Sequence, residues 1–316
     1  MRGARPRIAL TGVSTRLGRV FARALHRDAD LIGIDPRGAR NMPKDVTVFE
    51  VDPRRRQVDE LFKRERVDAL VHLIPEPQWA RRDNGQRDAI VVGTHRLLDA
   101  ARKHGVTKAV VISTAAVYGA FADNDQFLTE EAPLLAGQSF GGLRNMVEAD
   151  MSAGAFLWRH PEVDTVILRP SHVVGHLGNA ASRYLAMPTV PTLAGFDPMI
   201  QVISPDDLLS AVRLALRPGV RGIFNIAGPS PAPLSHVIRA LGRRRLPLAE
   251  PLARAMLGLL WGLGASGVPS GSLDYLKYVC MVSGDSARLG LGYEPKLTLD
   301  ETLAPIRTQR RDPGDP

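Results

Sequence analysis

The sequence predicts an α/β chain built as a doubly wound parallel sheet with a smaller C-terminal region. Three observations predict it. Short β-rich runs alternate with amphipathic helical stretches at a pitch that fits βαβ units. A glycine-containing turn joins the first β run to the first helix. The second and third β runs each end on an aspartate, Asp35 and Asp52. Composition agrees: 316 residues, 44% hydrophobic and 23% charged, suit two globular domains or one large domain with an appendage. The single cysteine, Cys280, excludes a disulfide framework and a cysteine-based zinc site, no metal is expected, and the usage suits a cytoplasmic protein. Met1–Arg7 is basic, but the apolar run behind it is only Ile8-Ala-Leu10, too short for a signal-peptide core. Lys and Arg total 41 against 33 Asp and Glu, a formal charge of +8.

Taken in order, Arg7–Thr11 reads as the first strand, followed by a turn and a helix near Leu17–His26. Asp30–Ile34 and Val46–Val51 are the second and third strands, and Val58–Arg66 is a charged amphipathic helix. Ala69–Ile74 is a buried strand ended by Pro75. Val92, Leu97, Leu98 and Ala101 give Ala89–His104 helical spacing, and Lys108–Ser113 is another buried strand. Phe140–Trp158 reads as a helix and Thr165–Leu168 as a strand ended by Arg169-Pro170. Residues 171–200, rich in Pro, Gly and small residues, read as a substrate-side excursion. Asp206–Leu216 is a helix with Asp206 as N-cap or first-turn acid. Gly222–Ile226 is a strand; Leu234–Arg243 and Pro251–Leu263 are helices. Residues 1–170 thus form the sheet domain, with 201–226 returning to it. Residues 171–200 and 227–307 form the second region, and 308–316 is expected to be a disordered tail.

The turn Thr11-Gly-Val-Ser-Thr-Arg-Leu-Gly18 carries the first chemistry. A glycine turn after strand one, opening into a helix, presents backbone N–H groups and a helix dipole to a pyrophosphate. Gly12 permits the tight turn, Ser14 to Leu17 form the helix start, and Gly18 lets the helix pack on the sheet. Thr15 stands where a middle glycine is usual; it either crowds a cofactor or donates its hydroxyl to a phosphate. Arg16 adds positive charge beside it. Asp35, 23 residues after Gly12, stands where a carboxylate binds the ribose hydroxyls of NAD and repels the 2′-phosphate of NADP. Arg37 is the residue that leaves NADP open, and Asp52 falls near the adenine edge.

With these motifs in hand, the chain resembles the extended short-chain dehydrogenase/reductases, the NAD-dependent epimerase/dehydratase family, over roughly residues 6–305. Thr11–Gly18 is similar to its TGxxGxxG, Val71-His-Leu-Ile74 to its VxHLA, and Gly93-Thr94 with Leu97-Leu98 to its GTxNLL. Ser113-Thr-Ala-Ala-Val-Tyr-Gly119 is similar to SSxxVYG, Thr129-Glu-Glu-Ala-Pro133 to TExxP, and Leu168-Arg-Pro170 with Val174-Gly175 to LRPxxVYG. Asp206-Asp207, Phe224-Asn225 and Leu289-Gly-Leu-Gly-Tyr-Glu-Pro295 match later landmarks. Ser182-Arg-Tyr-Leu185, Val190-Pro191 and Phe224-Asn-Ile226 resemble a bacterial subgroup, similar to UDP-glucose 4-epimerase, that often loses its active-site tetrad. The resemblance implies a Rossmann fold, NAD as cofactor, Leu73, Ser113 and Pro170 near it, a nucleotide-sugar substrate, and a homodimer through the helices holding 89–104 and 140–158.

The departures gather at the chemistry. The family's hydroxyl residue matches Thr114, but its Tyr-x-x-x-Lys aligns with Phe140-Gly-Gly-Leu-Arg144, and Glu148 matches the following acid. Phenylalanine has no proton to give; Arg144 can still bond ribose hydroxyls. Ile90 replaces a usual asparagine. Other proton donors are Tyr118, otherwise a packing residue, and His172 and His176, otherwise loop histidines after Pro170. His72 reads as a satisfied core histidine. Glu76, Trp79 and Arg81 follow strand four, either facing substrate or in a solvated loop.

Arg54-Arg-Arg56 and Arg243-Arg-Arg245 read as solvated helix ends or as contacts to phosphates; no nucleic-acid module accompanies them. Ala255–Leu273 lacks charge, yet its helical part is too short to span a membrane. It is expected to be a buried or interface helix, or else a peripheral membrane contact. Three functions follow: an atypical nucleotide-sugar epimerase/dehydratase, a non-catalytic NAD-binding sensor or scaffold, or a membrane-surface protein acting on lipid-linked substrates.

Overall fold

In the computed structural model, the described residues are 5–75, 87–139, 141–262 and 270–308. Strands β1 (Arg7–Thr11), β2 (Asp30–Ile34), β3 (Thr47–Phe49), β4 (Ala69–Leu73), β5 (Lys108–Ile112) and β6 (Asp164–Pro170) share one sheet. The chain then leaves it for β7 (His172–Val173), β8 (Thr189–Leu193), β9 (Met199–Ile200) and β10 (Val202–Ile203), and returns as β11 (Gly222–Ile226). The sheet order is β11-β6-β5-β4-β1-β2-β3, and every pair is parallel. Such a sheet needs both faces covered, which is why β4 and β5 are near-continuous buried runs.

Helix α1 (Arg16–Leu25) covers one face with α7 (Pro205–Ala215); α2 (Gln57–Glu65), α3 (Gly93–Lys103) and α5 (Gly141–Arg159) cover the other. A short α4 (Ala136–Ser139) precedes α5, and α6 (Ala180–Leu185) lies in the 171–200 excursion. Strand order reverses at β1, with β2 on one side and β4 on the other. In doubly wound sheets that reversal opens the ligand crevice at the strands' carboxyl ends. The remaining elements are β12 (Ala232–Pro233), α8 (Leu234–Ala240), β13 (Arg244–Leu248), α9 (Glu250–Gly262), α10 (Asp285–Leu291) and α11 (Leu299–Thr308).

Several sequence expectations are corrected here. β3 is shorter than Val46–Val51, since it pairs only with β2 and leaves the ladder at Phe49, so Asp52 lies beyond the strand. Ser204 caps α7, its Oγ accepting from the Asp207 N–H at 3.0 Å, so of the two roles expected for Asp206 it takes that of first-turn acid. The Ala89–His104 helix opens with a π turn, Asp88–Val92. Leu234–Arg243 stops at Ala240: Gly242 takes φ +68°, and β13 begins at Arg244 and pairs in parallel with β8. α10 packs Ala287 and Leu291 into the core shared with α1. α9 is only half covered: Ala253 is buried, while Leu252, Met256 and Leu259 are exposed. Thr308 closes α11, and 309–316 lie outside the described residues. Among the described residues no helix is long and apolar enough to cross a membrane.

Candidate functional site

The β1–α1 turn is built from its own backbone. Gly12 takes φ +72°, and its N–H donates to Ile34 O at 3.1 Å. A Cβ at Gly18 would stand 2.2 Å from Gly12 O, so only glycine lets α1 lie this close to the turn. Thr15 is the N-cap: its Oγ1 accepts from the Gly18 N–H at 3.0 Å and donates to Gly12 O at 2.7 Å. The hydroxyl proton is therefore held within the turn and is not offered to a phosphate. The Leu17 N–H has no partner among the described residues, and the Arg16 guanidinium lies against Gly178 of the excursion. Leu73 closes the other side; a Cβ on Gly12 would meet its Cβ at 3.3 Å.

Asp35 ends β2 beside this turn and is 3% exposed. Its carboxylate accepts from the Ser14 N–H at 3.1 Å and the Arg37 N–H at 3.0 Å, fixing both oxygens at the turn. The Arg37 guanidinium donates to Ser14 Oγ at 3.0 Å and approaches Asp35 at 3.8 Å. Asp52 stands apart from this cluster's bonds. Arg54 grips both its oxygens, and that hydrogen bonding holds the carboxyl below its usual range.

His72 is walled into the core. Thr94 Oγ1 donates to Ile90 O at 2.5 Å, so it accepts from His72 Nε2 at 2.9 Å. Nδ1 then takes the Thr11 hydroxyl proton at 2.7 Å. Burial pushes the imidazole down to about 3, so it stays neutral.

At the carboxyl ends of β5 and β6 the geometry differs. Thr114 is partly exposed and caps a 3-10 turn, Ala115–Val117, accepting from the Ala116 N–H at 3.2 Å. Tyr118, a candidate proton donor, has its hydroxyl buried and hydrogen-bonded. It is 1% exposed; its hydroxyl donates to Asn225 Oδ1 at 2.8 Å and accepts from Arg169 at 2.9 Å. Burial raises its pKa further. Arg169 in turn holds Asp150, at 3.1 and 2.5 Å, and the Asn225 N–H meets Glu130 at 2.6 Å. Burial opposes the Arg169 charge, but the Asp150 carboxylate outweighs it. Tyr118 thus belongs to a buried polar network that ties the landmark segments together.

Two nearby hydroxyls, Ser113 Oγ and Ser171 Oγ, are buried without a partner among the described residues. Pro170 is buried opposite Ile226. His172 follows on β7; its ring meets Tyr275 edge-on at 6.2 Å, and burial lowers its pKa, keeping the imidazole neutral near pH 7. His176 is exposed. Arg144 is exposed on α5, its stem within 3.7 Å of a Cβ built on Gly137, and it has no ion pair among the described residues. Glu148 pairs with Arg87. Phe140, Glu76, Trp79 and Arg81 lie outside the described residues.

Sequence reading missed Ser171, Tyr275 and Cys280. The Tyr275 hydroxyl donates to Ala116 O at 2.8 Å, and the Cys280 thiol, pushed up to about 12 by burial, lies 3.6 Å from Ala115 O. Only Ser171 carried a signal, its place directly after the strand-end proline. Among the described residues no cluster of three His, Cys, Asp or Glu can hold a metal.

A family model, the NAD dependent epimerase/dehydratase family, matches residues 8–227. The chain belongs to the NAD-dependent epimerase/dehydratase family. An uncharacterised protein of Mycobacterium tuberculosis is 29% identical over 257 residues, covering 80% of this chain and 68% of that protein. Among solved structures, UDP-glucose 4-epimerase from Thermotoga maritima, with UDP-glucose, aligns with TM-score 0.74 and 18% identity, over 95% of this chain and 97% of its own. UDP-glucuronic acid 4-epimerase from Bacillus cereus, in complex with UDP-glucuronic acid and NAD, aligns with TM-score 0.72 and 17% identity, over 95% and 98%. The family match thus spans the chain from the β1 turn to β11. Its landmark residues Tyr118, Arg169 and Asn225 serve as internal supports.

Proposed function

We propose that this chain binds NAD and acts as an epimerase/dehydratase-like protein on a nucleotide-sugar-related substrate, with proton transfer arranged without the usual tyrosine. The Gly12–Gly18 turn closed on the Asp35 carboxylate is the observation that carries the reading. The cradle fits a dinucleotide: Gly18 has no room for a Cβ, Asp35 is held at the ribose end, and Ser113 and Ser171 offer unpartnered hydroxyls to an amide. Asp35 disfavours a 2′-phosphate, and the guanidinium of Arg37 is drawn onto Ser14 and Asp35, so NAD is preferred to NADP. When bound, NAD supplies a hydride acceptor. Thr114 orients the substrate hydroxyl, and Arg144 bonds ribose. His172, neutral and at the strand-end crevice, takes the proton that Phe140 cannot. Met151 and Trp158, exposed on α5, support a homodimer through that face.

The test mixes purified protein with NAD and UDP-glucose and follows bound NADH and the sugar product across pH. The expected result is NADH formation that His172→Asn slows by about 10²–10⁴-fold. The absence of a phenol at position 140 favours a second reading, a non-catalytic NAD sensor or scaffold. NAD binding with no hydride exchange from any nucleotide sugar would establish it instead.

A further inference from the structure

We propose a second ligand site, independent of the dinucleotide cradle: an oxyanion pocket for a phosphate ester on the C-terminal lobe. A pocket of about 350 Å³ lies between the end of α8 and the start of β13, lined by Ser235, Ile238, Arg239, Gly242, Arg243 and Arg245. Three arginines converge there, and none forms an ion pair among the described residues. Arg239 is exposed, and its guanidinium makes no hydrogen bond among them. The Arg243 side chain donates once, to Ile306 O at 3.3 Å, and its buried Nε has no partner among the described residues. Arg245 donates to Thr192 Oγ1 at 2.9 Å and Phe196 O at 2.8 Å. The carboxylate at the pocket's edge, Asp197, accepts from the Ser235 N–H and hydroxyl at 2.8 and 2.6 Å.

The ordinary use of arginines at a helix end is to satisfy its last carbonyls, and here those are already taken. Val237 O, Ile238 O and Arg239 O accept from the backbone N–H groups of Leu241, Arg243 and Gly242, and Ala240 O accepts from Arg307. Arg239 and Arg245 are therefore free of the capping role, and Arg243 touches a helix end only through Ile306 O in the last turn of α11. Gathering three cations without a counter-charge is unfavourable unless an anion joins them, and the guanidinium fork matches phosphate oxygens. A phosphate monoester of a soluble metabolite and the diester of a lipid headgroup share this chemistry.

Inorganic phosphate is the first probe, titrated by calorimetry against chloride at matched ionic strength, with NAD present. Phosphatidylcholine vesicles with and without phosphatidylglycerol are the second. Phosphate is expected to bind the wild type, and at least about tenfold more weakly to Arg239→Gln and Arg243→Gln. The Arg239 guanidinium has no partner to lose among the described residues, so Arg239→Gln folds even if Arg243→Gln does not. Co-sedimentation only with phosphatidylglycerol, lost in Arg239→Gln, assigns the lipid source; phosphate binding without co-sedimentation assigns the soluble one. Equal effects of phosphate and chloride, or binding unchanged by Arg239→Gln, would overturn the site and leave the NAD reading untouched.

Discussion

The β1–α1 turn and the carboxyl edge of β5 and β6 face the same crevice but are built on opposite terms. In the turn, Thr15 closes its own helix cap, and Asp35 is fixed by two backbone N–H groups. At the strand edge, Ser113 and Ser171 hold hydroxyls with no partner among the described residues, and the one phenol of the local motif, Tyr118, is locked in a buried network. The contrast is between a turn whose polar groups satisfy one another and a strand edge that keeps spare hydroxyls among the described residues. A rigid cradle tolerates no added atom; an edge with spare hydroxyls accepts different side chains around it.

The comparison can be broken at its most rigid point. Gly18→Val puts a side chain onto Gly12 O; it should cost roughly 3 kcal/mol or more of stability and abolish NADH binding, read by thermal unfolding and fluorescence titration. His72 bridges Thr11 of the turn to Thr94 of the opposite layer. Its pKa is about 3 folded against 6.5 unfolded, so the unfolded chain binds the extra proton within that window. Stability is therefore full above pH 6.5 and falls as pH drops towards 3, by on the order of 3 kcal/mol between pH 7 and 4. His72→Leu should flatten that acid slope in denaturant titrations at several pH values. Tyr118→Phe should lower stability by about 1–2 kcal/mol, through lost bonds to Asn225 and Arg169, while leaving the pH dependence of any hydride exchange in place. A shifted pH profile would return Tyr118 to the chemistry. Smallest of all, Thr15→Gly should cost only a few tenths of a kcal/mol and leave NADH affinity unchanged, because Thr15 caps a helix and does not bind phosphate.

The sheet was legible because period-2 and period-3.6 patterns are local, and Gly12, Gly18 and Asp35 announced the cradle by spacing alone. β13 was not legible: Arg244–Leu248 is an exposed edge run with a proline, and only its pairing with β8 makes it a strand. The role of Tyr118 was hidden for another reason. Its partners, Arg169 and Asn225, are 51 and 107 residues away, so the saturation of its hydroxyl exists only in three dimensions. Tyr275 on Ala116 O, 159 residues apart, is the same case. The charge of +8 is clarified in one place, the three arginines between α8 and β13.

The central claim, that the turn and Asp35 hold NAD, is tested most directly by titrating the purified protein with NADH and NADPH in parallel. Micromolar binding of NADH, with NADPH at least about tenfold weaker, is the predicted result. Binding of neither nucleotide at millimolar concentration, or tighter binding of NADPH, would contradict it.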